Sequence, residues 1–505
     1  MTTTATSTLQ DSIDRAAPGR DVTGHHVAGH DGAGRAALGK GAMNAPATGA
    51  ATATAAAFGA LDRLLRRRLI AQMARLRGGQ LVLHDALGMF ELGGGGEGGA
   101  AGDSDVAGEQ GASRPAAPVH LWIDDPGFYR AVAANGSVGA GEAYMDGAWR
   151  CSDLVGLIRL LVRNRELLDG METGIARLGG LAMRGWNALR RNTLAGSRRN
   201  IAAHYDLGNE FFALFLSPDL MYSSALFGDD ELALDGGVLA DGVLDAASTR
   251  KLDRICQKLD LQPGDRVIEI GTGWGGFALH AARHYGCHVT TTTISREQHA
   301  LASRRVAEAG LGDRITLLLQ DYRDLDGQYD KLVSIEMVEA IGAQYLDTYF
   351  AKLGRLLKPD GLALLQAITI EDHRYAQALA SVDFIKRHVF PGSFIPSIQA
   401  LLVAKTRSSD LALTHLEDFG GSYALTLQAW RQRFLARLPQ VRAQGFDARF
   451  VRMWEFYLAY CEGGFRERSI GVAQLLMAKP GHRGAAFLPG LPTPRGRPLE
   501  EGVAA

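Results

Sequence analysis

Two glutamates three residues apart, Glu336 and Glu339 in "LVSIEMVEAIG", follow a run of apolar residues that reads as a buried strand. Carboxylates crowded at the end of an apolar strand are costly unless they do chemistry or find partners. Such a pair can share one proton, which relieves its repulsion and raises an apparent pKa of the pair. A second constellation lies upstream. "VIEIGTGWGG" sets Gly271, Gly273, Gly275 and Gly276 between a strand and a helix, with Glu269 just ahead of them. Glycines at that place allow a tight turn and close approach of the backbone to a ligand.

The elements that must carry these groups are legible as alternation. Short β-rich runs ("DRVIEI", "HVTTTTI", "ITLLLQD", "DKLVSIE", "LALLQAITI") are separated by helical ones such as "GFALHAARHYG" and "REQHALASRRVAEAG". This pattern predicts βαβ units around a doubly wound, mostly parallel α/β sheet. A glycine-rich turn in that setting suits NAD, S-adenosylmethionine (SAM) or no ligand. The dinucleotide form carries an acidic residue about 20 positions on for the ribose. Here that region reads "TTTTIS" and has no carboxylate. Glu269 before the glycines and Asp321 in "LLLQDYRDL", near the end of a third strand, favour SAM.

At 505 residues the chain has room for two or three domains. A formal net charge of -1 gives no global field towards nucleic acid. The four cysteines lack metal-type spacing and suit a reducing compartment. No apolar run approaches the roughly 20 residues that span a bilayer, and the N-terminus lacks the basic start and apolar core of a signal peptide. The expectation is a cytoplasmic protein, at most peripheral on a membrane. Residues 1–56 are Ala-, Gly- and Thr-rich and predict disorder. Residues 57–200 read as a smaller mixed unit with a flexible Gly-rich insert at 93–118, residues 201–480 as the sheet domain, and 481–505 as a disordered tail. The first unit opens with "LDRLLRRRLIAQMARLRGG", in which Leu61, Leu64, Leu65, Leu69, Met73 and Leu76 share one helical face and Arg63, Arg66, Arg67 and Arg77 lie mostly on the other. Such a helix docks on anionic lipid or packs on its own domain. A second basic cluster, "LRRNTLAGSRRN", lies at the junction.

Eight segments in order carry a resemblance. They are "HYDLGNEFFALFLSPDLMYSSALF", "GTGWGG", "TISREQ", "LQDYRDL", "EMVEAIG", "FIKRHVFPGSFIPS", "DFGGSYALTLQAW" and "RMWEFYLAYCEGGFRERSIG". Together they resemble the cyclopropane-fatty-acyl-phospholipid synthase family of SAM-dependent methyltransferases, closely over 201–481 and more loosely over the first unit. The resemblance implies a class I methyltransferase fold, a phospholipid substrate at a bilayer surface and methyl transfer to an acyl-chain double bond. It also implies that Tyr205, Gly271, Gly273 and Trp274 line the SAM site. Thr293, Ile294 and Gln298 would lie along the ribose and adenine, and Asp321 and Tyr322 at the adenine edge. Glu339, Ile368 and Tyr423 match the family's residues around a bicarbonate ion that serves as base. Tyr423, Phe419, Trp454, Phe456 and Tyr457 are candidates to face the cationic intermediate. A methylene-branched product and, more distantly, a small-molecule N-methyltransferase are the alternatives. The oligomeric state, a homodimer among the options, is left open.

The chain departs from the family pattern at the bicarbonate. The usual cysteine is Ser224, the usual histidine is Gln366, and the usual glycine three residues before the catalytic glutamate is Glu336. The histidine after that glutamate is Ala340. Serine and glutamine can still hydrogen-bond an oxyanion, but a second carboxylate repels one. Two readings of Glu336 stand open. Either its side chain occupies or abuts the bicarbonate position as a built-in base, or it points to solvent or caps the next helix.

Overall fold

The structure, a computed structural model, describes residues 58–94, 117–169, 207–233 and 237–485. The expectations for residues 1–56, most of the 93–118 insert, the "LRRNTLAGSRRN" cluster, Tyr205 and most of the 481–505 tail fall outside these residues.

Near the N-terminus, β1 (Gln80–Asp85), β2 (Gly88–Gly93), β3 (Val119–Ile123) and β4 (Trp149–Cys151) form one sheet in the order β2-β1-β3-β4. Leu81 and Leu83 on β1, and Leu121 and Ile123 on β3, recur at the strand period of two and are buried together. The Ala60–Met73 helix packs on its own unit; Leu65, Leu69, Met73 and Leu76 of the expected face meet the core, but the buried face is rotated from the one that the leucine spacing suggests. Asp62, Arg66 and Leu69 point inward, whereas Leu61 and Leu64 are 56% and 48% exposed. The cause is a distant partner. Asp85 accepts two hydrogen bonds from Arg66 (2.5 and 3.0 Å) and one from the Tyr129 hydroxyl (2.6 Å). A paired guanidinium can be buried where a lone one cannot.

The second sheet holds β5 (Arg266–Ile270), β6 (His288–Thr293), β7 (Ile315–Leu319), β8 (Tyr329–Ile335), β9 (Leu357–Ile370), β10 (Ala412–Asp418) and β11 (Ile470–Ala478), in the order β10-β11-β9-β8-β5-β6-β7. Strands β5 to β9 pair in parallel, and β11 runs antiparallel to both of its neighbours. The doubly wound, mostly parallel reading therefore holds. Both faces are covered, which is why adjacent residues such as Val267 and Ile268 on β5, and Leu332 and Val333 on β8, are apolar on both sides of the sheet. Val267 and Val333 face the Val243–Lys258 and Gly276–Tyr285 helices, and Ile268 and Leu332 face the Leu346–Leu356 side. Strand order reverses at β5: the chain runs outward through β6 and β7, then returns to β8 on the other side. Ligands of such sheets bind beyond the carboxyl ends of the strands at this reversal. The segment leaving β5 there starts at Gly271, and the one leaving β8 starts at Glu336.

Two long helices, Gly420–Ala436 and Ala448–Arg466, pack against each other beside this crevice. Trp454 and Phe434 meet Phe211 and Phe215 in edge-to-face or tilted contacts with centroids 4.9–6.4 Å apart. The Ala448–Arg466 helix also packs on the Gly127–Met145 and Leu154–Arg163 helices and so joins the two sheets. Tyr144 donates to Glu455 (3.0 Å), and Arg159 pairs with Glu467 (2.6 Å) across this seam. No described helix is long and apolar enough to cross a membrane.

Candidate active site

The crevice opens into a cavity of about 760 Å³ that runs from the glycine turn, past both glutamates, to Leu69, Leu81, Leu121 and Leu157 of the N-terminal unit. A second cleft of about 1680 Å³ along β10 and the Val243–Lys258 helix contains Phe419 but none of the expected catalytic or cofactor residues.

At one end, Gly271 adopts φ 102° and Gly273 φ 51°, conformations costly for other residues. A side-chain carbon at Gly271 would lie 3.1 Å from Met337, so glycine keeps the turn close to the segment that follows β8. Glu269 is buried beneath the turn and accepts from the Thr291 hydroxyl at 2.6 Å. Thr291 has a single proton, so the 2.7 Å contact with Thr272 is donated by Thr272. Burial pushes the Glu269 carboxyl up to about 8, opposed by Thr291 and the Lys251 charge. Gly271, Gly273, Trp274, Thr293, Ile294, Gln298, Asp321 and Tyr322 all line this end. Gln298 accepts from the Thr293 hydroxyl (2.9 Å), and the Trp274 indole donates to Asn209 (2.6 Å). The Asp321 carboxylate is held by Arg323 at 2.8 Å through both oxygens. The open glycine turn and the Tyr322 hydroxyl, buried with no partner among the described residues, suit a polar ligand of SAM's kind.

At the centre stand the two carboxylates. Glu336 does not point to solvent and caps no helix. Its Oε1 accepts from the Ser224 backbone N–H (2.9 Å) and from Gln366 Nε2 (2.8 Å), and its Oε2 accepts from the Tyr423 hydroxyl (2.7 Å). Its backbone is left-handed, φ 48°. Such strain costs a non-glycine residue about 1–2 kcal/mol. Glu339 has one hydrogen bond, accepted by Oε1 from the Ile368 N–H at 2.6 Å, and its buried Oε2 has no partner among the described residues. Burial, then the Glu336 charge, push Glu339 up to about 8. Burial also raises Glu336, but Tyr423, Gln366 and Ser224 work against the rise. Three donors favour the charged form at Glu336 and one does so at Glu339, so the proton of the pair favours Glu339.

Other expectations are redistributed. Ser224 meets Glu336 through its backbone, because its hydroxyl donates to the Ala225 carbonyl at 2.9 Å. Gln366 and Ser224 do not line the cavity and reach it only through Glu336, whereas Ile368 and Tyr423 do line it. Among the aromatics, Tyr423, Phe456 and Tyr457 face the cavity, while Trp454 lies in the core and Phe419 lines the other cleft. Tyr423 stacks on Phe465 at 4.4 Å. A bicarbonate does not fit this set: Glu336 already takes the Tyr423 and Gln366 donors, Glu339 takes Ile368, and another anion would meet two carboxyl groups.

Sequence reasoning missed two buried lysines. Lys251 Nζ donates to the Ser223 hydroxyl (2.9 Å), beside the residue whose N–H holds Glu336. Lys258 lies one heptad on, on the same face of the Val243–Lys258 helix. A lysine at a buried heptad position is the signal that could have found them, since an ammonium is buried only with partners.

The family model described as mycolic acid cyclopropane synthetase matches residues 193–475. The chain is 39% identical over 74% of its length to the tuberculostearic acid methyltransferase of Mycobacterium tuberculosis, covering 86% of that protein. It is 36% identical over 72% of its length to the cyclopropane-fatty-acyl-phospholipid synthase of Escherichia coli, covering 88% of it. A solved mycolic acid cyclopropane synthase, CmaA1 complexed with SAH and CTAB, superposes with a TM-score of 0.50 at 30% identity, over 56% of this chain and 98% of that one.

Proposed function

This chain belongs to the mycolic acid cyclopropane synthetase family of SAM-dependent C-methyltransferases, and from that premise we propose that it methylates the double bond of an unsaturated acyl chain in a phospholipid, with Glu336 as its own base. The observation that carries this reading is the Glu336 carboxyl group, held by three donors in an apolar cavity that continues from the glycine turn into the N-terminal leucines. SAM, when bound, supplies an electrophilic methyl carbon that an alkene can attack, which leaves a carbocation on the acyl chain. The protein's part is to hold the alkene in line and dry, to face the cation with Tyr423, Phe456 and Tyr457, and to take a proton. Loss of a proton from the new methyl group to Glu336 turns the C–H electron pair into the third bond of a cyclopropane. Neutral Glu339 adds no second negative charge. Uptake of the lipid takes place at a bilayer surface, and the exposed Leu61 and Leu64 beside Arg63, Arg67 and Arg68 support contact there. The similarity to a protein named as a tuberculostearic acid methyltransferase favours a second reading of the product, a methyl or methylene branch instead of a ring.

The test is an assay with methyl-labelled SAM and liposomes of unsaturated phospholipid in bicarbonate-depleted buffer. The protein keeps its activity there. Glu336→Gly, which relaxes the left-handed backbone and opens a carboxylate-sized hole among the same donors, loses activity and regains it on adding bicarbonate. Wild-type activity that collapses on depletion and returns with bicarbonate refutes the built-in base. Mass spectrometry of the acyl methyl esters separates ring from branch.

A further inference from the structure

Gln366 is oriented from behind, through a chain of contacts that starts on the Val243–Lys258 helix covering the same face of the sheet. Gln366 on β9 and Gln474 on β11 are direct cross-strand partners and are both fully buried. They continue the face carrying Leu364 and Leu476, where apolar residues are the norm. Gln474 Nε2 donates to Gln366 Oε1 at 2.9 Å. Gln474 Oε1 in turn accepts from Lys258 Nζ at 2.8 Å. Lys258 also meets Glu417 at 2.5 Å, and Arg254 donates to the same carboxylate at 2.8 and 3.2 Å.

We propose that Lys258 and Gln474 are positioning residues for the methyl transfer, fixing the direction of every hydrogen bond up to Glu336. This inference rests on the reading of Glu336 as the base. An ammonium has only donors, so Gln474 must turn its oxygen to Lys258 and its NH2 to Gln366. Gln366 must then accept with its oxygen and present its NH2 to Glu336. With a cation at one end and a carboxylate at the other, only one polarity satisfies all four groups. Without the lysine or the first amide, Gln366 can rotate by 180° and aim its oxygen at Glu336, which replaces an attraction with a repulsion. Two amides in series do not ferry protons, so the chain orients and polarises the base but does not drain it.

The groups around both ends are consistent with this polarity. Glu336 faces Tyr423, the Ser224 N–H, Lys251 and the neutral Glu339. Lys258 faces Glu417, Arg254 and His415. Burial pushes Lys258 down to about 8, and Glu417 works against the fall, so the ammonium persists at neutral pH.

The experiment measures kcat, KM for SAM and the pH profile of kcat for Gln474→Leu and Gln474→Glu in the full chain. Gln474→Leu lowers kcat about 10- to 100-fold, the scale of a hydrogen bond to a charged group. It leaves KM for SAM within about twofold and moves the acid limb of the profile to higher pH by about one unit, because a base short of one donor binds its proton more tightly. Gln474→Glu keeps a partner for Lys258 and so keeps the fold, but it cannot donate to Gln366 and loses at least as much activity. In a Gln366→Leu background neither change has a further effect. Unaltered kcat and acid limb in folded Gln474→Glu, or losses that multiply with Gln366→Leu, overturn the proposal. The Glu336→Gly rescue by bicarbonate is scored separately. If it succeeds while the Gln474 variants are unaffected, the relay fails and the base stands; if Glu336 proves dispensable, both fail.

Discussion

Glu339→Gln turns the electrostatics of the glutamate pair into a stability measurement. In the folded protein Glu339 holds its proton up to about pH 8, whereas the carboxyl releases it near 4.5 once burial and the Glu336 charge are removed. The folded state therefore binds the extra proton throughout that window. The stability that this group contributes is complete below pH 4.5 and is lost as pH rises to about 8. At about 1.4 kcal/mol per pH unit, the wild type gives up about 3 kcal/mol by pH 7 and roughly 5 kcal/mol above pH 8. Glutamine does not titrate. Its oxygen can still accept from the Ile368 N–H, and its NH2 replaces an oxygen that has no partner. The variant is thus more stable than the wild type by under about 1 kcal/mol at pH 5, about 3 kcal/mol at pH 7 and about 5 kcal/mol at pH 8.5. Urea unfolding followed by tryptophan fluorescence at the three values reads the gap directly. A gap that does not change with pH, or one that reverses as pH rises, refutes the assignment of the shared proton to Glu339.

Two further outcomes follow from the same geometry. Ser224→Ala keeps the backbone N–H on Glu336 and loses only a hydroxyl spent on a neighbouring carbonyl, so turnover of labelled SAM stays within about threefold of wild type; a hundredfold loss contradicts the backbone role. Gly271→Ala strains a φ of 102° and puts a carbon 3.1 Å from Met337, so titration calorimetry finds SAM binding weakened about tenfold or more.

The central strands and their doubly wound arrangement were legible because short apolar runs alternate with helical stretches, which leaves few other folds. The glutamate pair and glycine turn were legible for a similar reason, since each lies within one short segment. What escaped the sequence depends on partners far apart in it. Arg66 turns inward because Asp85 and Tyr129 wait there, which no helical wheel of residues 60–73 contains. Lys258, Gln474 and Gln366 belong to one helix and two strands, and only strand register makes them one chain. The orientation of the Ser224 hydroxyl depends on a single backbone carbonyl and leaves no trace in residue type.

The Ala448–Arg466 helix has a consequence of its own. It is at once a wall of the reaction chamber, through Phe456 and Tyr457, and the abutment on which the N-terminal helices rest. The N-terminal unit and the chamber thus share one beam. The Arg159–Glu467 clasp closes that beam's outer end, so one helix carries both the ion pair and the aromatic wall.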